Sequence, residues 1–301
     1  MKTKLLIQTN RFYKTIALFS LAIFSLTFFA CEESENLTNE DEYNNLINES
    51  YASEMFDEVE DLGDEAVDYL DNLSTKSSFE TEGLNNYYRL SPCATVTRIF
   101  GQDTVNITID FGDTNCLCND GRERRGKIHI NHYGFYWGDG EAEIEFYFED
   151  YFVDNNQLIG TRNVFRYMNE NQHRISEIIS DGSIILAEDA GTITWHAERV
   201  REVVEGSETH HKYDDVIEIT GSSYATLADG TEITGEITTP LRRINEAGCF
   251  RYFVSGVRSI MYGEDEITID YGDGTCDNLA EFTRNGETHT YEIRHRRRFG
   301  W

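Results

Sequence analysis

The chain has 301 residues and a formal net charge of −29, with 55 acidic side chains against 26 lysines and arginines. A negative field of this size repels phosphate backbones, which argues against a nucleic-acid-binding protein. Aromatic residues make up 13% of the chain and there are only two prolines, a composition that suits long paired strands.

The first thirty residues predict an export signal rather than a folded element. Four basic residues precede an uncharged apolar run of 14 residues (16–29), whereas a bilayer-spanning helix needs about 20. The basic leader, the short apolar run and Ala30 are typical of a secretory signal. Cys31 follows directly, and this arrangement resembles the signal of bacterial lipoproteins, in which the cysteine is lipidated. We therefore expect residues 1–30 to be a lipoprotein signal peptide and Cys31 to carry a membrane anchor; the alternative is an ordinary signal peptide followed by a chance cysteine.

An acidic segment follows Cys31. Residues 32–75 contain 16 acidic side chains and neither lysine nor arginine. Acidic residues directly after the cysteine resemble the surface-export signal of Bacteroidota lipoproteins, which implies a lipid-anchored protein of the outer membrane that faces the cell exterior. We expect residues 31–40 to be an acidic tether; the alternative to an export signal is that the acidic residues only form a solvated linker.

Residues 41–73 predict one acidic amphipathic helix. Apolar side chains recur at spacings of three or four and form a single stripe on an otherwise acidic surface. We expect the stripe to dock on the main domain, the alternative being a stalk or a partner-binding helix, and we expect residues 74–86 to be a linker. The stripe consists of Tyr43, Ile47, Tyr51, Met55, Val59, Leu62, Ala66, Leu70 and Leu73.

From residue 87 to residue 295 the apolar period changes to two, which indicates strands with one buried face. In the clearest case Ala142, Ile144 and Phe146 alternate with glutamates. Asp-Gly and Asn-Gly pairs separate many of the segments and favour tight antiparallel turns, including one at 181–182 between strands 175–180 and 183–188. The sequence predicts an all-β fold, an antiparallel multi-stranded meander closed as a sandwich, roll or barrel.

Two near-copies of one stretch lie 160 positions apart, at 107–116 and 267–276, within similar segments near 93–131 and 249–293. In each copy the isoleucines share one strand face, a glycine ends the strand and a cysteine follows. Because cysteines of an exported protein pair, we interpret both copies as disulfide-linked framework rather than as a reused active site. Local pairing joins Cys93 to Cys116 or Cys118 and Cys249 to Cys276, so one of the five cysteines after Cys31 is left over.

Metal sites and catalytic residues are not indicated. The cysteines and histidines lack zinc-ligand spacing. The acidic pairs Asp110 with Asp113 and Asp270 with Asp273 lack the full oxygen ladder of a calcium loop, and a calcium-dependent module is the weakest alternative. We expect no cofactor, and the sequence favours a protein without enzymatic activity.

The richest aromatic cluster is Tyr133, Phe135, Tyr136 and Trp137. Aromatic faces can stack on sugars, so these four residues are the candidate ligand-binding set; the alternative is core packing plus a hairpin tip. Residues 296–301 form a basic tail, which we interpret as a solvated end or as a partner of the acidic helix or of anionic lipopolysaccharide.

Several longer stretches together resemble a group of uncharacterised Bacteroidota lipoproteins. The resemblance implies a β-rich fold and an exported, lipidated protein, and it carries neither activity nor ligand. We therefore expect a cell-surface lipoprotein whose β-domain is a binding or structural module; the alternative is a glycan-binding or glycan-degrading accessory protein. The stretches are 107–130, 149–162, 181–206, 216–241, 253–257 and 267–278.

Overall fold

The computed structural model describes residues 40–75, 89–90, 92–134, 140–209, 214–245, 249 and 253–292. The signal peptide, Cys31, residues 32–39, most of the linker, Phe135, Tyr136, Trp137 and the basic tail lie outside the described residues.

The helix, α1, spans Glu40–Thr75. Four of the nine residues of the expected stripe are buried, and Tyr51 and Leu70 are partly buried beside them. The side chains of the other three lie outside the described residues, and Phe56 is buried as well, one position away from Met55. The buried apolar side chains of α1 are Ala52, Met55, Phe56, Val59, Leu62 and Ala66.

Fourteen antiparallel strands form one sheet, and almost every strand pairs with the next one along the chain. The path is β1-β2-β4 and then consecutive strands to β14, with the short β3 paired to β4 beside it. This confirms an all-β antiparallel meander preceded by an acidic helix; the sheet is not closed into a barrel. The strands are β1 Thr95–Phe100, β2 Thr104–Asp110, β3 Cys116–Leu117, β4 Glu123–Gly134, β5 Ala142–Val153, β6 Asn156–Met168, β7 Arg174–Ile185, β8 Thr192–Glu205, β9 Val216–Thr226, β10 Glu232–Ile244, β11 Phe253–Tyr262, β12 Asp265–Asp273, β13 Leu279–Arg284 and β14 Glu287–Glu292.

One hydrophobic core joins α1 to strands from β2 to β13. Eleven strands at about 4.8 Å spacing would extend about 48 Å if flat, whereas a helix with its side chains is only about 10–12 Å wide. A single core of this width is therefore made by the inner-face side chains of the strands together with α1. We call the sheet face toward α1 the inner face and the opposite one the outer face.

The predicted turn at 181–182 is wrong. Asp181 and Gly182 lie in the middle of β7, which runs unbroken from Arg174 to Ile185. Gly182 is opposite Gly160 of β6, and a Cβ at Gly182 would lie 2.7 Å from Cζ of Phe56. The same Cβ would lie 2.1 Å from the carbonyl oxygen of Ile159, so the glycine is explained by the close approach of the β6 backbone and of the Phe56 ring, and not by a turn.

Both copies of the repeated stretch carry the local cysteine pairs that the sequence predicts. Cys93 and Cys116 enclose the β1–β2 hairpin with their Cα atoms 5.6 Å apart, and Cys249 and Cys276 enclose β11–β12 at 5.5 Å. In both copies the aspartate two positions before the glycine accepts a hydrogen bond from the backbone N–H of the glycine, at 2.8 Å for Gly112 and 2.9 Å for Gly272. The predicted strand end at Gly272 is wrong, because β12 continues to Asp273. The two copies are thus the same disulfide-enclosed hairpin.

Cys118 is the fifth cysteine, and it is a buried free thiol. Burial raises the pKa of this thiol, and the nearby Arg124 only partly opposes that effect. We expect one thiol to react with a maleimide only after unfolding, while non-reducing peptide mapping recovers Cys93–Cys116 and Cys249–Cys276. Removing either bridge should lower the free energy of unfolding by about 3 kcal/mol, because each closes a loop of roughly 25 residues. A bridge that contains Cys118 would contradict this assignment.

Candidate functional site

Positively and negatively charged side chains lie largely on opposite faces of the sheet. The inner-face arginines alternate with buried apolar residues and several of them contact α1, whereas Glu177 of β7 and Glu198 of β8 lie on the opposite face. The inner-face arginines include Arg98, Arg124, Arg162, Arg166, Arg201, Arg243 and Arg258.

The first group of ion pairs is built around Glu58 of α1. Oε1 of Glu58 accepts hydrogen bonds from the fully buried Arg124, and Oε2 accepts one from Nη1 of Arg122 at 2.5 Å. Asp120 also binds Arg124, at 2.6 Å, and Asp154 binds Arg122 at 3.2 Å. The two guanidinium groups therefore join α1 to β4 and to the β5–β6 turn.

The second group is built around Glu60, whose side chain is almost fully buried. Its two oxygens accept hydrogen bonds from Arg162 at 2.8 Å and from Arg166 and Arg201 at 2.9 Å each. Asp57, one turn earlier on the helix, binds Arg162 at 3.1 Å. One carboxylate of α1 thus holds three arginines from β6 and β8.

Further contacts follow the same helix in both directions. Asp71 binds Arg98 of β1 at 2.5 Å, Asp61 and Glu65 bind Arg89, and the Tyr51 hydroxyl accepts a hydrogen bond from Asn156. The helix surface that the sequence presents as acidic and solvated is therefore largely paired with cations of the main domain. The docking interpretation of α1 agrees with these contacts.

The Glu58 group makes a prediction about pH. Burial alone would raise the pKa of the Glu58 carboxyl, but Arg124 and Arg122 outweigh burial and lower it from 4.5 to about 2. Because the pKa of Glu58 is lower in the folded than in the unfolded protein, the ionised carboxylate stabilises the fold above about pH 4.5, and this stabilisation is lost as the pH falls toward 2. It contributes about 3 kcal/mol to the free energy of unfolding.

We expect Glu58→Gln to lower the free energy of unfolding by about 3 kcal/mol at pH 7 and by little near pH 2, because a protonated glutamate resembles glutamine. Urea unfolding of both proteins at several pH values measures the difference. A difference that stays constant from pH 7 to pH 2 would show that the Glu58 charge does not contribute.

The outer face carries acidic and aromatic side chains. His129 of β4 stacks on Tyr147 of β5, with ring centroids 4.7 Å apart, and its Nε2 lies 3.0 Å from Glu149. Phe165 is 39% exposed and contacts Tyr167, and Ile179 on the next strand is 44% exposed. This face is available for contact with other molecules.

The structure describes one residue of the predicted ligand-binding set. Tyr133 lies near the end of β4 and is 39% exposed; Phe135, Tyr136 and Trp137 lie outside the described residues. Tyr133 is paired in register with Thr104, and Phe100 at the tip of the neighbouring hairpin is 67% exposed. An open depression of about 350 Å³ at this tip is lined by residues 100–105 and Gly134.

The residues weighed as metal ligands are placed apart. His129 faces outward while His132 is buried on the inner face, where burial and then Arg166 lower its pKa to about 4. Among the described residues there is no group of three or more histidine, cysteine, aspartate or glutamate side chains that could hold a metal ion.

Sequence reasoning missed the arginines that hold α1. The sequence predicts no site role for Arg122 or Arg124, yet the side chain of Arg124 is fully buried on β4. The spacing along the strands could have predicted them. Arg162 precedes Val164 by two residues and Arg201 precedes Val203 by two, and side chains two apart on a strand share one face, here the buried one.

A scan of family models and searches of curated proteins and of solved structures find no match to this chain. Within the described ranges, the helix is not long and apolar enough to cross a membrane.

Proposed function

We propose that this chain is an exported lipoprotein of the Bacteroidota surface-lipoprotein group, lipidated at Cys31, facing the cell exterior, whose β-domain is a binding or structural module. The observation that carries the proposal is the attachment of α1. The helix that follows the acidic tether is fixed to the sheet by the Glu58 and Glu60 ion pairs and by its buried face.

The tether limits how far the anchor can be from that helix. Cys31 precedes Glu40 by nine residues, and an extended chain covers at most about 3.5 Å per residue, so the spacing is at most about 32 Å. Because α1 is packed in the core, it cannot also serve as a long free stalk. A lipid on Cys31 would therefore hold the sheet close to the membrane surface and leave its outer face for partners.

The two cysteine pairs support export. Cys93–Cys116 and Cys249–Cys276 would persist in an oxidising compartment and would be kept reduced in the cytosol.

Protease treatment of intact cells tests the proposal. We expect external protease to degrade the wild-type protein without lysis, and we expect Cys31→Ser to move the protein from the membrane fraction to the soluble fraction. Cys118→Ser is the matched control and should leave both results unchanged. A wild-type protein that resists protease until the cells are lysed would overturn surface display, and an unchanged membrane fraction for Cys31→Ser would overturn lipidation.

The alternative is a glycan-binding accessory protein, which is favoured by the exposed aromatic rings of Tyr133 and Phe100 at one end of the sheet. We expect glycan-array binding that is lost in Tyr133→Ala and Trp137→Ala and kept in Tyr224→Ala, an equally exposed tyrosine of β9. An array without binding, or binding that is insensitive to Tyr133 and Trp137, removes this alternative.

A further inference from the structure

The outer face of β5 to β8 carries charges of almost one sign. Alternation along these strands puts each of their arginines on the inner face, and the four strands contain no lysine. His196, the one histidine in these strands, lies on the outer face and pairs with Asp181 at 2.6 Å. A molecule that binds this part of the sheet therefore meets a negative surface. Its carboxylates include Glu143, Glu145, Glu149, Glu177, Asp181, Glu198 and Glu202.

Three apolar side chains are exposed among these carboxylates. Phe165 of β6 is 39% exposed, Ile179 of β7 is 44% exposed and Val200 of β8 is 39% exposed. Glu177 is paired in register with both Phe165 and Val200, and Ile179 lies two residues after it, so Ile179 is the diagonal neighbour of both. Diagonal neighbours are about 7–8 Å apart, within reach of long and aromatic side chains. The three residues thus form one apolar strip with a polar rim, which we call the outer ridge and which is typical of an interaction surface.

Phe165 lies between two carboxylates. Its register partners are Glu143 of β5 and Glu177 of β7, and side chains in register on neighbouring strands have Cβ atoms about 4.5–5.5 Å apart. Tyr167 packs beside Phe165, with ring centroids 5.5 Å apart, and donates a hydrogen bond to Glu177 at 2.9 Å. A guanidinium group can stack on an exposed ring while its N–H groups bind carboxylates at the edges of that ring. Phe165 and its two neighbours therefore match an arginine side chain.

Glu198 provides a second position for a cation. It is paired in register with Ile179, and its side chain is 66% exposed. Glu143 and Glu198 are three strands apart, which is about 14 Å at 4.8 Å per strand. In an extended chain, residues four positions apart point to the same side and are separated by about 13 Å, with one further side chain between them on that side. Two arginines at this spacing would reach both carboxylates and place the middle side chain on the outer ridge.

We propose that the outer ridge, together with Glu143, Glu177 and Glu198, binds an extended basic protein segment in which two arginines flank an apolar residue. Charge complementarity favours this partner over a second copy of the chain, whose outer face is itself acidic, and over phosphorylated or sulfated molecules. The inference deepens the proposed function, on which it rests because that function leaves the outer face for partners.

Fluorescence anisotropy with a labelled peptide Ala-Arg-Ser-Leu-Ser-Arg-Ala tests the surface on the full-length chain in nonionic detergent. We expect saturable binding at about 50 mM sodium chloride that weakens about fivefold or more at about 500 mM, because salt screens exposed charges. Replacing both arginines by glutamate, or the leucine by glycine, should also weaken binding about fivefold or more. Absence of binding by the arginine peptide, or an unchanged affinity of either altered peptide, overturns the proposal.

Variants of the protein locate the binding. Phe165→Ala, Glu143→Gln and Glu177→Gln should each weaken binding of the arginine peptide about threefold or more, since each removes part of the position for one guanidinium. Tyr224→Ala and Glu232→Gln are the matched controls, because they change exposed side chains on β9 and β10, away from the outer ridge. The controls should keep the affinity, and a Tm of each variant without peptide verifies that it is folded. Equal losses in the variants and the controls overturn the proposal.

Two other occupants of the ridge are distinguished in the same material. Sedimentation without peptide detects self-association, and a dimer that is lost in Phe165→Ala would assign the ridge to a second copy and overturn the basic partner. Binding of a neutral glycan that requires Phe165 and does not respond to salt would overturn it as well. Loss of surface display or of lipidation would not affect these measurements on purified protein, and failure of peptide binding would leave the protease and Cys31→Ser results unchanged.

Discussion

Glu60→Gln should lower the free energy of unfolding by about 3–5 kcal/mol, the largest effect expected for a single charge-removing substitution in this protein. Glutamine has nearly the same volume as glutamate, so the substitution leaves no cavity. It removes the charge that Arg162, Arg166 and Arg201 share. Arg166 and Arg201 then lose the carboxylate they bind, and Arg162 keeps only the exposed Asp57. Urea unfolding at pH 7 measures the loss.

Asp57→Asn is the matched control. Asp57 lies on the same helix and also binds Arg162, but its side chain is 55% exposed. An exposed ion pair contributes about 0.2–1 kcal/mol, so the control should lose no more than that. Similar losses for the two variants would show that burial does not strengthen the Glu60 group.

The two buried carboxylates also fix how α1 is turned about its axis. Residues two apart on a helix are separated by about 200°, so Glu58 and Glu60 lie on opposite flanks of Val59, which is in the core. Glu58 reaches β4 on one side and Glu60 reaches β6 and β8 on the other. A rotated helix would bury one carboxylate in apolar surroundings and leave arginines unpaired on both sides. The ion pairs thus specify one orientation that apolar packing alone would define less strictly.

The sequence predicts those features that depend on neighbours along the chain. Alternation of Ile144 and Phe146 with glutamates gives the strand and its buried face, and the two copies around Ile107 and Ile267 give the local disulfides. The alternation and the cysteine pairs can both be recognised within a short segment, because strand side chains alternate every two residues and each disulfide joins cysteines that are close in sequence.

Features that depend on distant partners could not be predicted in this way. Gly182 follows an aspartate as a turn glycine would, but it admits the backbone of β6 at Ile159 and the ring of Phe56, which is 126 positions earlier in the chain. Arg162 carries no local sign that its partner is Glu60 on α1. The sequence predicts that the acidic helix docks on the main domain, yet the composition does not reveal that buried arginines bind its carboxylates.

Phe56→Ala should lower the free energy of unfolding by about 3–5 kcal/mol, because it removes the largest apolar side chain of α1 from the core. The Phe56 ring packs edge-on against Phe148 of β5, with ring centroids 6.4 Å apart, and fills the space above Gly182. The surrounding sheet cannot collapse into that space, since Gly182 and Gly160 have no side chains with which to fill it. Loss of helix signal together with sheet unfolding in urea would show that α1 and the sheet unfold as one unit.

The control is the same substitution on the other face. Phe165→Ala removes a phenylalanine that is 39% exposed on the outer face of β6, so it should cost about 1 kcal/mol or less. If Phe56→Ala costs no more than Phe165→Ala, the helix does not contribute a core to this sheet. The attachment of α1, on which the proposed presentation of the outer face depends, would then rest on the ion pairs alone.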